Sequence, residues 1–186
     1  MPPYVRCSSE RLIETYSQGQ LQFEGLNLRS QSLKGLKLPF IELVDCNLQQ
    51  INLIDAFLPG AVFTRSNLRR GRLGRANLIG ADFFRADLSA ANLCRAMVAG
   101  AKLTGANLST ANLCDASLSG SDLRGVNLRR AKLRGVNFKY ADLSGADMTG
   151  ADLAGADLGG ANLMGTLMPD ASYLDYSLEL LMAGGE

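Results

Sequence analysis

Four cysteines and eighteen carboxylates, with no histidine, make up the reactive inventory of this 186-residue chain. Without imidazole there can be no Ser-His-Asp or Cys-His nucleophile pair, no His-ligated zinc and no imidazole proton shuttle. Cys94 and Cys114 stand twenty residues apart, a spacing that could bring two thiols together as a redox clip or a soft-metal pair. Two thiolates with no histidine or further cysteine nearby make a poor metal site. Asp142, Asp147, Asp152 and Asp157 recur every five residues and invite an acid–base reading. Such spacing sets them on four successive corners of one coil rather than in a common cleft, where Asp or Asn can bond nearby turn backbone. The glycines follow the same period and do not open a helix, so no phosphate-binding loop is present. No catalytic, metal-ligating or cofactor-binding residue is therefore assigned, and the chain is not expected to be an enzyme.

Composition narrows the classes further. Lys+Arg (19) and Asp+Glu (18) nearly cancel, which excludes a uniform polyanion or polycation. No apolar run approaches the ~18 residues of a membrane span. The opening residues carry no apolar stretch of the kind a signal peptide needs, so the four cysteines are expected to be free thiols in a cytoplasmic protein.

The elements that must position all of these residues follow from one period. Stepping by five from Phe23 to Met168 meets 30 apolar residues, 23 of them Leu. Two residues before this centre lies a small site, Ala in 17 of the 22 repeats from Ala56 to Ala161. Between the two stands Asn or Asp in 18 of 30 repeats, and two residues after the centre stands Gly in 14. Neither a 3.6-residue helix nor plain alternation fits. Residues two apart share a face of extended backbone, so the Ala and Leu sites face inward, the Asn/Asp site faces outward, and the remaining pair turns a corner. A chain that repeats this winds into an all-β solenoid. In the first repeats Leu21, Leu26, Leu36, Ile41 and Ile51 replace Ala, predicting wider N-terminal coils, and Gln31 at that site needs an internal partner.

This A-(D/N)-L-x-x tandem over residues 21–168 resembles the pentapeptide-repeat family, particularly its cyanobacterial members. The resemblance implies a right-handed quadrilateral β-helix with four sides per coil; the period alone would also allow three. Phe63 and Phe83, like Cys94 and Cys114, favour the twenty-residue coil because each pair would then stack. Both thiols would point outward with their backbones in disulfide range.

A solenoid must also close its ends. Residues 1–20 form an N-terminal segment with a short helix predicted over 8–19, capped by Ser8 or Ser9, striped by Leu12, Ile13 and Tyr16 and stopped by Gly19. Residues 169–186 read as a C-terminal cap. Leu174, Leu178 and Leu181 predict a helix within 172–183, although Tyr173 and Leu178 also keep the five-residue register and allow a further half-coil. In the gyrase-binding branch of the family, C-terminal elements mediate dimers, so a monomer and a dimer through this cap both stay open.

Charge and apolar residues point to a partner. Residues 60–139 carry a net charge of +10 and residues 140–186 a net of −8. Folded at twenty per coil, Arg69, Arg70, Arg72 and Arg75 gather at one corner, and Arg129, Arg130, Lys132 and Arg134 at the same corner three coils on, with Arg95 between. Such a stripe can steer an acidic partner. Nucleic acid suits it less than protein, because no aromatic residues interleave it for stacking. Phe57 and Val62 take Asn/Asp positions and Phe84 follows a centre, suggesting an exposed apolar patch. The expectation is a non-enzymatic protein-interaction module, a rigid rod that binds along one face. The alternatives are a DNA mimic acting on gyrase or another type II topoisomerase, as the resemblance implies, and a structural spacer.

Overall fold

The computed structural model describes residues 4–174. Its elements are β1 (Val5–Arg6), α1 (Ser9–Ser17), β2 (Gln22–Glu24), β3 (Leu26–Asn27), β4 (Glu42–Val44), β5 (Thr166–Leu167) and β6 (Tyr173–Leu174). Most of the sheet is shorter than a formal strand. Parallel bridges join each outward residue to the one twenty places on, from Asn27↔Asn47 to Asp147↔Leu167. Each coil thus has four five-residue sides, and the fold is the expected right-handed quadrilateral β-helix. In the coil 61–80 the first to fourth sides carry Val62, Asn67, Arg72 and Asn77 outward.

The interior is a continuous apolar column. The centres from Leu28 to Met148 are at most 3% exposed, and the Phe63 and Phe83 rings stack at 5.0 Å with planes 10° apart. Ile41 and Ile51 are fully buried at the second inward site, and Leu26 and Leu36 pack partly buried against the core. Leu21, assigned inward from its register, is 40% exposed. Ser66, Ser121 and Thr166 stand where Ala is usual, and each donates its hydroxyl hydrogen to a carbonyl 23 residues earlier, of Leu43 (2.6 Å), Val98 (2.9 Å) and Leu143 (2.8 Å). Bonding of this kind offsets the cost of burying a hydroxyl; among the described residues Ser89 Oγ is buried without a partner.

Counting backbone donors explains the outward positions. In the repeat centred on Leu88, the N–H groups of Leu88, Ala90 and Asn92 donate to Asn107, Ser109 and Gly71 on adjacent coils, and that of Ala91 closes the turn onto Leu88. The fifth, on Ser89, lies outside the ladder and donates to Asp87 Oδ1 at 3.0 Å. The same Asx bond recurs at every one of the 18 Asn/Asp positions. Three repeats without that acceptor, at Lys37, Phe57 and Leu167, place Pro39, Pro59 and Pro169 at the donor position instead. Proline has no N–H to leave orphaned, and its fixed φ suits the second residue of a turn.

The corner residue two after the centre has positive φ in every repeat from Gly25 to Gly165, including Arg70 (54°), Arg130 (54°) and Tyr140 (58°). Left-handed backbone costs a non-glycine residue roughly 1–2 kcal/mol. The ladder bond at that residue and the turn bond just after it hold the conformation, as at Arg70 and Gly71.

The N-terminal end is closed by α1. Ser8 is its N-cap, accepting from the Arg11 N–H, and Leu12 is completely buried. Tyr16 donates its hydroxyl hydrogen to the Pro39 carbonyl at 3.0 Å. Gln31 finds its partner here, its Oε1 accepting from the Ser9 N–H at 3.1 Å. Ahead of α1, β1 pairs in parallel with β3, a strand that no repeat signal announces. At the other end, residues 173–174 fall in the predicted C-terminal helix but form β6, antiparallel to β5. The reversal has a local cause: the Ser172 N–H donates to Asp170 Oδ1, and Ala171 adopts φ 66° directly after Pro169-Asp170. The remainder of that prediction, including Leu178 and Leu181, lies outside the described residues.

Candidate interaction faces

The basic residues frame one side rather than one corner. Arg69, Arg70, Arg129 and Arg130 occupy the corner before the third side, and Arg72 and Lys132 lie on that side. Arg75, Arg95 and Arg134 occupy the corner after it. Between Arg72 and Lys132 the side presents only Asn92 and Asn112.

Five of these arginines are engaged within the rod. Arg75 binds Asp55 through two bonds of 2.7 and 2.8 Å, and Arg95 stands 3.6 Å from Asp115. Arg69, Arg129 and Arg134 reach Asp87 (3.4 Å), Asp147 (2.9 Å) and Asp152 (3.4 Å), each eighteen residues on. That offset has a simple origin. A residue just after a centre ends its side, and the outward aspartate of the same side on the next coil lies eighteen positions later. Lys139 meets Asp157 in the same way at 3.0 Å. Hydrogen bonds from Arg75 hold the Asp55 carboxyl below the usual range, and the Gly159 N–H followed by Lys139 does so for Asp157. Arg70, Arg72, Arg130 and Lys132 have no ion pair among the described residues.

Asp142, Asp147, Asp152 and Asp157 occupy the four sides of their coil, not its corners, each accepting from a corner N–H. Three of them also neutralise the preceding basic coil. The +10 and −8 blocks of the sequence therefore cancel in part where the two coils meet.

The apolar trio is not one patch. Phe57 is 42% exposed on the fourth side, whereas Val62 is half-buried on the first side. Phe84 is half-buried at the next corner, with the Arg85 guanidinium 5.1 Å from its ring centre. The structure instead groups Phe57 with Met97 on the fourth side and with Phe40 and Ile79 on the adjoining corner, all exposed. Met97 in an Asn/Asp position was the legible signal. Phe40 lies over Gly60, where a Cβ would fall 2.6 Å from its ring.

The cysteines are free among the described residues. Cys46 is buried, and burial pushes its thiol up to about 11. Cys7 is half-buried near α1, and burial raises its thiol as well. Cys94 and Cys114 stack half-buried on the corner after the third side. No group of three or more potential metal ligands occurs among the described residues. None of their helices is long and apolar enough to cross a membrane.

Four-sided coils of five-residue repeats, with Leu centres and Asx-bonded corners, define a class of β-solenoid. The match to Pentapeptide repeats, eight copies over residues 41–78, 63–96, 95–130 and 129–168, places the chain in the pentapeptide-repeat family. Among solved structures it is similar to HetL, a pentapeptide-repeat protein involved in heterocyst differentiation regulation from the cyanobacterium Nostoc sp. strain PCC 7120. The two are 24% identical over 90% of this chain and 100% of HetL, with a TM-score of 0.60. Rfr23 from the cyanobacterium Cyanothece 51142 is 29% identical over 67% of this chain and 86% of its own (TM-score 0.39). QnrB1, a plasmid-mediated fluoroquinolone resistance protein, is 21% identical over 78% of each chain (TM-score 0.39). No curated protein matches the chain.

Proposed function

We propose that this chain is a non-enzymatic interaction module that receives a protein partner on its third side. One observation carries the reading. Arg70, Arg72, Arg130 and Lys132 have no counter-ion among the described residues, and they border a flat side with only neutral residues between them. Cations left unpaired on a rigid surface cost little to reuse across an interface, because few side chains and no backbone need ordering. The competing reading, a DNA mimic, asks for a bare acidic face, whereas Asp147, Asp152 and Asp157 are tied to cations of the preceding coil.

The test is capture from nuclease-treated native lysate with wild type and with Arg72→Glu/Arg130→Glu/Lys132→Glu. A protein retained by wild type and lost by the variant is the expected result. Identical captured sets would remove the third side from the mechanism, and capture of gyrase would revive the mimic.

A further inference from the structure

The corner between the second and third sides is concave at its N-terminal end. There β1 lays Arg6 alongside Asn27, and Arg6, Cys7, Ser8, Arg29 and Gln31 contribute to an open cavity of about 450 Å³. A second hollow of about 180 Å³ follows, lined by Arg29, Gln49, Gln50, Arg69 and Arg70. Arg29 belongs to both, so the two form one groove crossing three coil steps, roughly 14 Å at the inter-strand spacing. Its lining holds four arginines, amides and hydroxyls, and no carboxylate. Arg6, Arg29 and Arg70 make no ion pair among the described residues, while Arg69 is 3.4 Å from Asp87.

We propose that this groove binds an extended acidic peptide segment of a partner protein, its carboxylates set on Arg6, Arg29 and Arg70. This deepens the interaction-module reading and rests on it. Guanidinium groups favour carboxylates through paired, charge-assisted bonds. The amides of Asn27, Gln49 and Gln50 can serve a peptide backbone. In an extended chain alternate side chains share a face about 7 Å apart, so the groove accommodates a Glu-x-Glu-x-Glu pattern. A nucleic-acid strand is disfavoured because no aromatic side chain lines the groove for base stacking.

The experiment measures fluorescence anisotropy of a labelled Gly-Glu-Ser-Glu-Ser-Glu-Gly peptide, and of its Glu→Gln counterpart, on the full chain. Two groove variants are compared. Arg29→Glu reverses the shared cation. Asn47→Asp keeps the acceptor for the Gln49 N–H but supplies a carboxylate eighteen residues on from Arg29, as Asp147 does for Arg129. Saturable binding of the Glu peptide only, weakened about tenfold by either variant and by added salt, is expected. Arg130→Glu, outside the groove, should leave peptide affinity unchanged even where it abolishes lysate capture, so the groove and the third side can fail independently. No binding, equal binding of the Gln peptide, stronger binding of an oligothymidylate, or indifference to Asn47→Asp in a variant with unchanged thermal unfolding would overturn the proposal.

Discussion

Coils 122–161 and the corner that begins at Arg6 use basic residues at equivalent positions to opposite ends. In the former, Arg129, Arg134 and Lys139 each meet an aspartate on the next coil. In the latter, Arg29 stands at the equivalent position, but residue 47 is Asn, its Oδ1 accepting from the Gln49 N–H, and the guanidinium makes no ion pair among the described residues. One side-chain atom type, O or N at the end of an Asx residue, separates a charge spent on the rod from one offered to solvent. Both Asn and Asp satisfy the corner N–H, so this choice can be made without touching the fold. A run of like charge in a solenoid sequence is therefore no guide to surface potential until the residues eighteen and twenty places away are read with it.

The comparison would break if the ion pairs, and not the shared core, held the rod together. Phe83→Ala, which removes a fully buried ring stacked on Phe63, should cost about 3–5 kcal/mol in urea unfolding. A loss under 1 kcal/mol would move the weight of stability to the surface.

A smaller effect is expected on acidification. Hydrogen bonds from the Arg124 guanidinium hold the Asp122 carboxyl down to about 2. Its folded value lies below the unfolded one, near 3.9, so the stabilisation is present above about pH 4 and is lost as pH falls through 2. Asp122→Asn should flatten the stability–pH curve in that window; a slope unchanged there would show that the pair is not held in solution.

The smallest effect belongs to the pairs themselves. A double-mutant cycle on Arg134 and Asp152, 67% and 46% exposed, should give about 0.2–1 kcal/mol. A coupling of several kcal/mol would mean that pairing shapes the coils rather than decorates them.

The register from Phe23 to Met168 was legible because each side must bury its centre, and a slip of one residue would expose it. The stacking of Phe63 on Phe83 supports the four-sided coil that period alone left open. The surface was less legible. Ion pairing at eighteen residues depends on which end of a side a residue occupies, a property of the coil and not of neighbours in the chain. The groove escaped notice because β1 lies outside the repeats and Val5-Arg6 carries no pattern of its own. The trio Phe57, Val62 and Phe84 looked contiguous because their numbers are close, yet the corners turn them onto different parts of the surface.

The bonded corners also limit what the surface can encode. Of 30 outward positions, 18 are Asn or Asp that satisfy a backbone donor, and nine more, Arg72, Met97 and Lys132 among them, supply neither that acceptor nor a following proline. Where proline deletes the donor the need for an acceptor lapses, and Lys37, Phe57 and Leu167 show how widely the outward residue then ranges. Pro39, Pro59 and Pro169 thus act as punctuation, marking three repeats in which the outward residue diversifies with no backbone donor left unmet, while the architecture stays the same.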